Sequence, residues 1–272
     1  MSLLLWCLVG TTLLAPAPGV APLTLERDGF GRVSVRVRLG GVEEYRFLVD
    51  TGSTYSSTSP RVASRLRLPG AGRVLATAAG REALIRLVKP PRIQLGSRTF
   101  TLPWVCVLPE DQPGMAGAYD GILGQDVLRR VDYVVDVRAG RLWIDPPPAV
   151  TGALDGVRLP LRRESGPLVV ADPAASAEWS IDTGASHVVL FREGLAPRSG
   201  RRVDLMTTTG RRTAWGLGPS GASLGAAQVT WTDAVLAPAP GRAELGLLPL
   251  ALFDAVHVDH RAGIAVLVPR RR

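Results

Sequence analysis

Phe47-Leu48-Val49-Asp50-Thr51-Gly52-Ser53-Thr54 and Trp179-Ser180-Ile181-Asp182-Thr183-Gly184-Ala185-Ser186 are two copies of one pattern, an apolar strand running into Asp-Thr-Gly. The two aspartates lie 132 residues apart (182 − 50), close to half of the 272-residue chain. A single Asp-Thr-Gly reads as an ordinary strand-to-turn junction. Two of them, brought together by a duplicated fold, would set two carboxyls side by side, and such a pair can share a proton.

The repeat reaches well past the tripeptides. Copy one spans about Arg32 to Asp145 and copy two about Val157 to Val268. Each Asp-Thr-Gly is followed by a polar, Gly-containing turn, Ala76-Thr77-Ala78-Ala79-Gly80-Arg81 and Met206-Thr207-Thr208-Thr209-Gly210-Arg211. A Leu-Gly turn comes next, Leu95-Gly96 and Leu224-Gly225, then strands ending Val107-Leu108 and Val235-Leu236. Tyr119-Asp120-Gly121-Ile122-Leu123-Gly124 corresponds to Gly246-Leu247-Leu248-Pro249. An alternative alignment sets Leu245-Gly246 on Leu123-Gly124; the first keeps Leu248 to Phe253 in step with Leu123 to Leu128. Val135-Asp136-Val137-Arg138-Ala139-Gly140 and Val258-Asp259-His260-Arg261-Ala262-Gly263 close the copies as hairpin turns, with Gly supplying positive φ and each Asp a turn residue. Val33 to Leu39 alternates apolar and polar with period two, as a half-buried strand does. Short helices are expected only near 60–67 and 125–130.

Composition supports an all-β protein. Apolar residues make up 46% of the chain, and 22 prolines and 30 glycines punctuate short Val/Leu/Ile runs. The organisation expected is an N-terminal lobe over residues 22–145, a stiff extended Pro-rich linker over 146–152 and a C-terminal lobe over 153–272. The net charge of +8 comes from arginine spread along the sequence, Lys89 being the sole lysine. Without clustering or interleaved aromatics this pattern gives no nucleic-acid surface. Residues 1–21 hold an uncharged apolar run, Leu3 to Leu14, followed by Ala15-Pro16-Ala17-Pro18-Gly19. This reads as a signal peptide and implies export to the periplasm, cell envelope or exterior, with an uncleaved membrane anchor as the alternative. Cys106, in an apolar strand, reads as a buried inert thiol. His187, His257 and His260 lack ligand spacing, so neither metal nor cofactor is expected.

These residues resemble the aspartic-protease superfamily: two apolar-apolar-Asp-Thr-Gly motifs and Asp120-Gly121-Ile122-Leu123-Gly124 match its signature elements. Copies of this length without disulfides are most similar to retropepsin-type subunits, here fused in one chain. The resemblance implies two pseudo-symmetric β-barrel lobes with a cleft between them, acting as a monomer on a peptide or protein substrate. It implies Asp50 and Asp182 as the catalytic pair and Thr51 and Thr183 as cross-links between the loops. Gly52 and Gly184 would allow tight turns with amide donors near the carboxylates. Thr77, Gly80, Thr208 and Gly210 would belong to flaps over the substrate. Copy two departs in carrying Pro249 for Gly124, Leu245 for Asp120 and Ala185 for Ser53. Pro249, and flap-like turns without tyrosine, motivate the alternative of a fold kept for peptide binding or envelope assembly. The Ser53 hydroxyl is expected to donate to Asp50 and favour its ionised form, leaving the shared proton on Asp182.

Overall fold

The alternating segment forms the strand Val33–Leu39, with Arg36 and Arg38 exposed and Val33, Val35, Val37 and Leu39 buried. It turns through Gly40 and Gly41, both at positive φ, and pairs antiparallel with the strand Glu43–Val49. That second strand delivers Asp50 at its end. The computed structural model describes residues 21–41, 43–78, 81–109, 118–162, 165–191, 201–207, 210–237 and 242–270. The leader lies outside the described residues, among which no helix is long and apolar enough to cross a membrane.

Beside Glu43–Val49 the strand Gly121–Leu123 runs parallel, with Gly121 opposite Phe47 and Leu123 opposite Val49. In the second half Gly246–Pro249 runs parallel to Ala177–Asp182, with Gly246 opposite Trp179 and Leu248 opposite Ile181. Register therefore matches Leu123 with Leu248 and Gly124 with Pro249, and rules out the alternative alignment. One landmark moves. Cys106 pairs with Ser57 and Val235 with Val189, so Cys106 corresponds to Val235, one position away from the match made on sequence.

The protein is nearly all β. A ten-stranded sheet belongs to the first half, a seven-stranded sheet to the second, and a six-stranded sheet is built from both. The all-β, multi-sheet architecture agrees with the retropepsin-like β-barrel class expected, without a closed barrel among the described residues. Among the described residues the sheets are open paths, because the strands near each half's end leave it to pair with the other half. In the shared sheet the hairpin Tyr133–Asp136/Arg141–Ile144 meets the hairpin Phe253–Asp259/Ile264–Pro269, with Tyr133 opposite Val258 and Val135 opposite Val256. Both hairpins turn on a glycine at positive φ, Gly140 and Gly263, where a side chain would be strained. Asp136 and Asp259 each accept a turn amide, from Ala139 and Ala262, at 2.8 and 2.7 Å.

One apolar core runs through both halves, including Val49, Leu123 and Tyr133 from the first and Ile181, Leu248 and Phe253 from the second. The helices Pro60–Arg65 and Gln125–Leu128 stand where sequence signals put them. The first is capped by Ser59, whose hydroxyl accepts from Val62 N at 3.2 Å. The connector differs from its expectation: Pro148–Gly152 is a short helix rather than extended chain. A proline near the start of a helix loses no hydrogen bond and presets φ, so Pro148 favours the helix it was expected to prevent.

Phe253 is fully buried in the joint core, whereas Phe30 is 63% exposed. Denaturant unfolding should show Phe253→Ala losing about 3–5 kcal/mol and Phe30→Ala remaining within about 0.5 kcal/mol of the parent.

Candidate active site

The two strands that end in Asp-Thr-Gly bring their loops into direct contact at the junction of the halves. Each threonine reaches across. Thr51 Oγ1 donates to Ile181 O at 2.6 Å and Thr183 Oγ1 donates to Val49 O at 2.5 Å. Each hydroxyl also accepts from the opposite backbone, Thr51 N to Thr183 Oγ1 at 3.1 Å and Thr183 N to Thr51 Oγ1 at 3.0 Å. Both side chains are fully buried, so all four groups exchange water for one another. A further strut comes from Leu168, whose amide donates to Thr51 O at 2.8 Å and whose carbonyl accepts from Ile181 N at 2.9 Å.

This interlock brings the Asp50 and Asp182 carboxyls within hydrogen-bonding reach of each other. Gly52 N donates to Asp50 Oδ1 at 3.0 Å and Gly184 N to Asp182 Oδ1 at 2.8 Å. The glycines serve closeness rather than a special backbone angle. A Cβ at Gly52 would lie within 2.8 Å of the Asp182 carboxyl carbon and both its oxygens, and one at Gly184 within 2.7 Å of those of Asp50. Each glycine thus leaves room for the other half's carboxylate.

Burial raises the proton affinity of both carboxyls. Asp50 is pushed well above the usual carboxylate range, first by desolvation and then by the charge and hydrogen bond of Asp182. Asp182 is raised by desolvation but held back by the hydrogen bond from Asp50, by the Gly184 and Ala185 amides and by the positive charge of Arg242. The pair therefore holds a proton above the ordinary carboxylate range. Two contacts bear on how the halves share it, and the Ser53 contact expected from the sequence is not made. The Ser53 hydroxyl donates to Tyr55 O at 3.1 Å and gives Asp50 only its backbone amide. Arg242, stacked 5.0 Å over the Phe191 ring, acts on the Asp182 side.

The two loops are buttressed differently. In the first half Gln125 Nε2 donates to Thr51 O at 2.9 Å, the Ser56 hydroxyl donates to Asp126 at 2.5 Å, and Gly124 N donates to Ser56 Oγ at 3.0 Å. Register matches these residues with Val188, Pro249, Leu250 and Ala251. Proline has no N–H to give and valine no oxygen to receive it, so donor and acceptor are lost together. Removing both partners leaves no orphaned polar group. Pro249 is thus part of a coordinated apolar replacement. The polar buttress escaped sequence reasoning, although comparing Gly124-Gln125-Asp126 with Pro249-Leu250-Ala251 could have exposed it.

The two flap-like turns join paired strands, Gly70–Ala78 with Arg81–Val88 and Arg202–Thr207 with Gly210–Leu217. Thr77 is opposite Glu82 and Gly210 opposite Thr207, while Gly80 and Thr208 lie outside the described residues. In the second half a cavity of about 420 Å³ is lined by His187, Asp233, Val203, Leu205 and Asp204, joining the post-motif loop to this hairpin. By register His187 and Asp233 occupy the positions of Tyr55 and Trp104, whose rings pack 4.8 Å apart in the first half. Cys106 is half-buried, and desolvation pushes its thiol up to about 11, which keeps it protonated and unreactive. Among the described residues no group of three His, Cys, Asp or Glu side chains is placed to hold a metal ion.

Residues 35–127 match the protein family described as aspartyl protease. A solved retropepsin-like aspartic protease from Rickettsia conorii is similar at 18% identity and a TM-score of 0.33, over 46% of this chain and 89% of that one. No curated protein sequence gives a significant match. The resemblance drawn from the motifs is thereby supported by the family match across the first Asp-Thr-Gly and its downstream landmark.

Because the folded state holds a proton on the pair more tightly than the unfolded chain does, stability falls as pH rises above the ordinary carboxylate range. Asp50→Asn removes that penalty. Thermal unfolding should give the variant the higher Tm at about pH 7, with the gap closing toward about pH 3, where both carboxyls of the parent are protonated in either state.

Proposed function

We propose that this chain is an aspartic endopeptidase in which Asp50 and Asp182 together activate a water molecule against a peptide carbonyl. The observation that carries the reading is the reciprocal Thr51–Thr183 interlock, which holds two desolvated carboxyls in mutual hydrogen-bonding reach. Asp182, the ionised member, takes a proton from water lodged between the pair. Asp50, the protonated member, donates to the carbonyl oxygen as the tetrahedral intermediate forms. As the C–N bond breaks, Asp182 gives the proton it gained to the leaving amine nitrogen while Asp50 takes one back from a hydroxyl of the gem-diol, so the carboxyl product forms and the starting state returns without a covalent adduct. Metal and cofactor have no part in this scheme.

Since both carboxyls come from one chain, the catalytic unit is a monomer of two retropepsin-like lobes. Its flaps are the hairpins Gly70–Ala78/Arg81–Val88 and Arg202–Thr207/Gly210–Leu217. The apolar segment at residues 1–21 directs the enzyme out of the cytoplasm, as a cleaved leader or as an anchor. The substrate is a peptide or protein read unequally by the lobes. The cavity beside His187 and Asp233 receives a long polar side chain, whereas the first half carries the Tyr55 and Trp104 rings at the matching positions.

Two measurements test this. With a peptide library assayed from acidic to neutral pH, Asp50→Asn and Asp182→Asn should each lower kcat by about 10²–10⁴-fold or more. Peptide binding without cleavage, indifferent to both changes, would leave a binding or assembly module instead. The double substitution His187→Tyr with Asp233→Trp should cut kcat/KM about 10-fold or more for substrates with a long polar side chain at the lobe-two subsite, and spare those with small ones.

A further inference from the structure

A second cavity, of about 220 Å³, is lined in part by Leu168, the residue whose amide donates to Thr51 O. Its walls come from three separate segments: Arg129 after the first-half helix, Leu161, Arg162, Pro167 and Leu168 from the strand entry of the second half, and His260 from the closing hairpin. Among the described residues no carboxylate lines it. Arg162 is already engaged, its Nη1 lying 3.0 Å from Glu178 and 3.9 Å from Glu244.

Arg129 is different. Its guanidinium is half-buried and donates Nη2 to Gly166 O at 2.7 Å, and among the described residues no carboxylate pairs with it. A guanidinium stays charged at any ordinary pH, and partial burial without a counter-charge is unfavourable. His260 adds a second unmet group: Nε2 is buried with no hydrogen-bond partner, while its backbone amide is fixed to Asp132 at 2.9 Å. Desolvation depresses both cations, Arg129 and His260, and the Arg129 charge depresses His260 further. Asp132 and Asp259 act on His260 in the opposite sense but do not line the cavity.

We infer that this cavity is a binding site for a small oxyanion, with Arg129 as its principal ligand and His260 Nε2 as a second donor. A planar guanidinium matches two oxygens of a phosphate, sulfate or carboxylate at once. The cavity, set against about 30 Å³ per molecule of liquid water, holds such an ion with a few waters and is too small for a peptide. Because the ligand touches all three segments, it fastens the closing hairpin and the Leu168 strut to the first half. Anything that binds only the folded state raises its stability in a saturable way. The inference stands apart from the proposed peptidase activity, since it uses none of that site's side chains.

The test is isothermal titration of the full chain with sulfate, inorganic phosphate and citrate in turn, at constant ionic strength held by chloride. Hydrogen exchange is recorded with and without each anion. One saturable site per chain is expected, with protection gained at residues 161–168 and 260–263. Arg129→Gln and His260→Leu should each weaken binding about 10-fold or more. Preference for sulfate and phosphate over citrate would identify a tetrahedral oxyanion, and the reverse a carboxylate. Lack of saturable binding by all three anions overturns the inference, as does undiminished binding in both variants. If either variant fails to fold, the exchange map of the parent decides, and protection confined to other segments overturns it.

Discussion

Everything at this site depends on two threonine hydroxyls that each bond to the opposite loop. Thr51 and Thr183 donate to Ile181 O and Val49 O and accept from each other's amides, so neither loop can shift alone. Buried hydrogen bonds of this kind add little net stability each, but losing one partner leaves the other unsatisfied. The interlock is therefore worth more as a constraint on geometry than as a source of binding energy. It fixes the distance at which Asp50 and Asp182 meet, and the missing side chains of Gly52 and Gly184 make that distance possible.

Holding two carboxyls in a desolvated space is unfavourable, and the rest of the molecule offsets that. Strands from both halves build the six-stranded sheet, and one apolar core runs through the junction, so separating the halves would expose Tyr133, Val256 and Phe253 together. The same architecture tolerates divergence between the halves. Ser56, Gly124, Gln125 and Asp126 form a hydrogen-bonded buttress behind one loop, while Val188, Pro249, Leu250 and Ala251 stand behind the other. Where Gly124 N donates to the Ser56 hydroxyl, Pro249 and Val188 lack both donor and acceptor, so the proline leaves no partner of that bond behind.

Much of this was legible in the sequence, for local reasons. Asp136-Val137-Arg138-Ala139-Gly140 and its copy are turns because Asp accepts a nearby amide and Gly takes positive φ, and both effects are written in five residues. Ser59 before Pro60 marks a helix start just as locally. What escaped was set by long-range geometry. The direction of the Ser53 hydroxyl is decided by Tyr55 O, and the positive charge that acts on Asp182 comes from Arg242, 60 residues beyond it in sequence (242 − 182). The six-stranded sheet that joins the halves depends on pairing between segments far apart in the sequence. The helical linker was misread because proline both ends helices and begins them.

We propose that Asp50 and Asp182 titrate as one unit with the proton on Asp50. Carbon-13 NMR of the labelled aspartate carboxyls across a pH titration tests it most directly. The account predicts that both resonances report the same two steps, one of them well above the ordinary carboxylate range, with Asp50 the protonated member between them. Asp182→Asn should abolish the coupling and leave Asp50 with a single step. Two independent single-step titrations in the ordinary carboxylate range would contradict it.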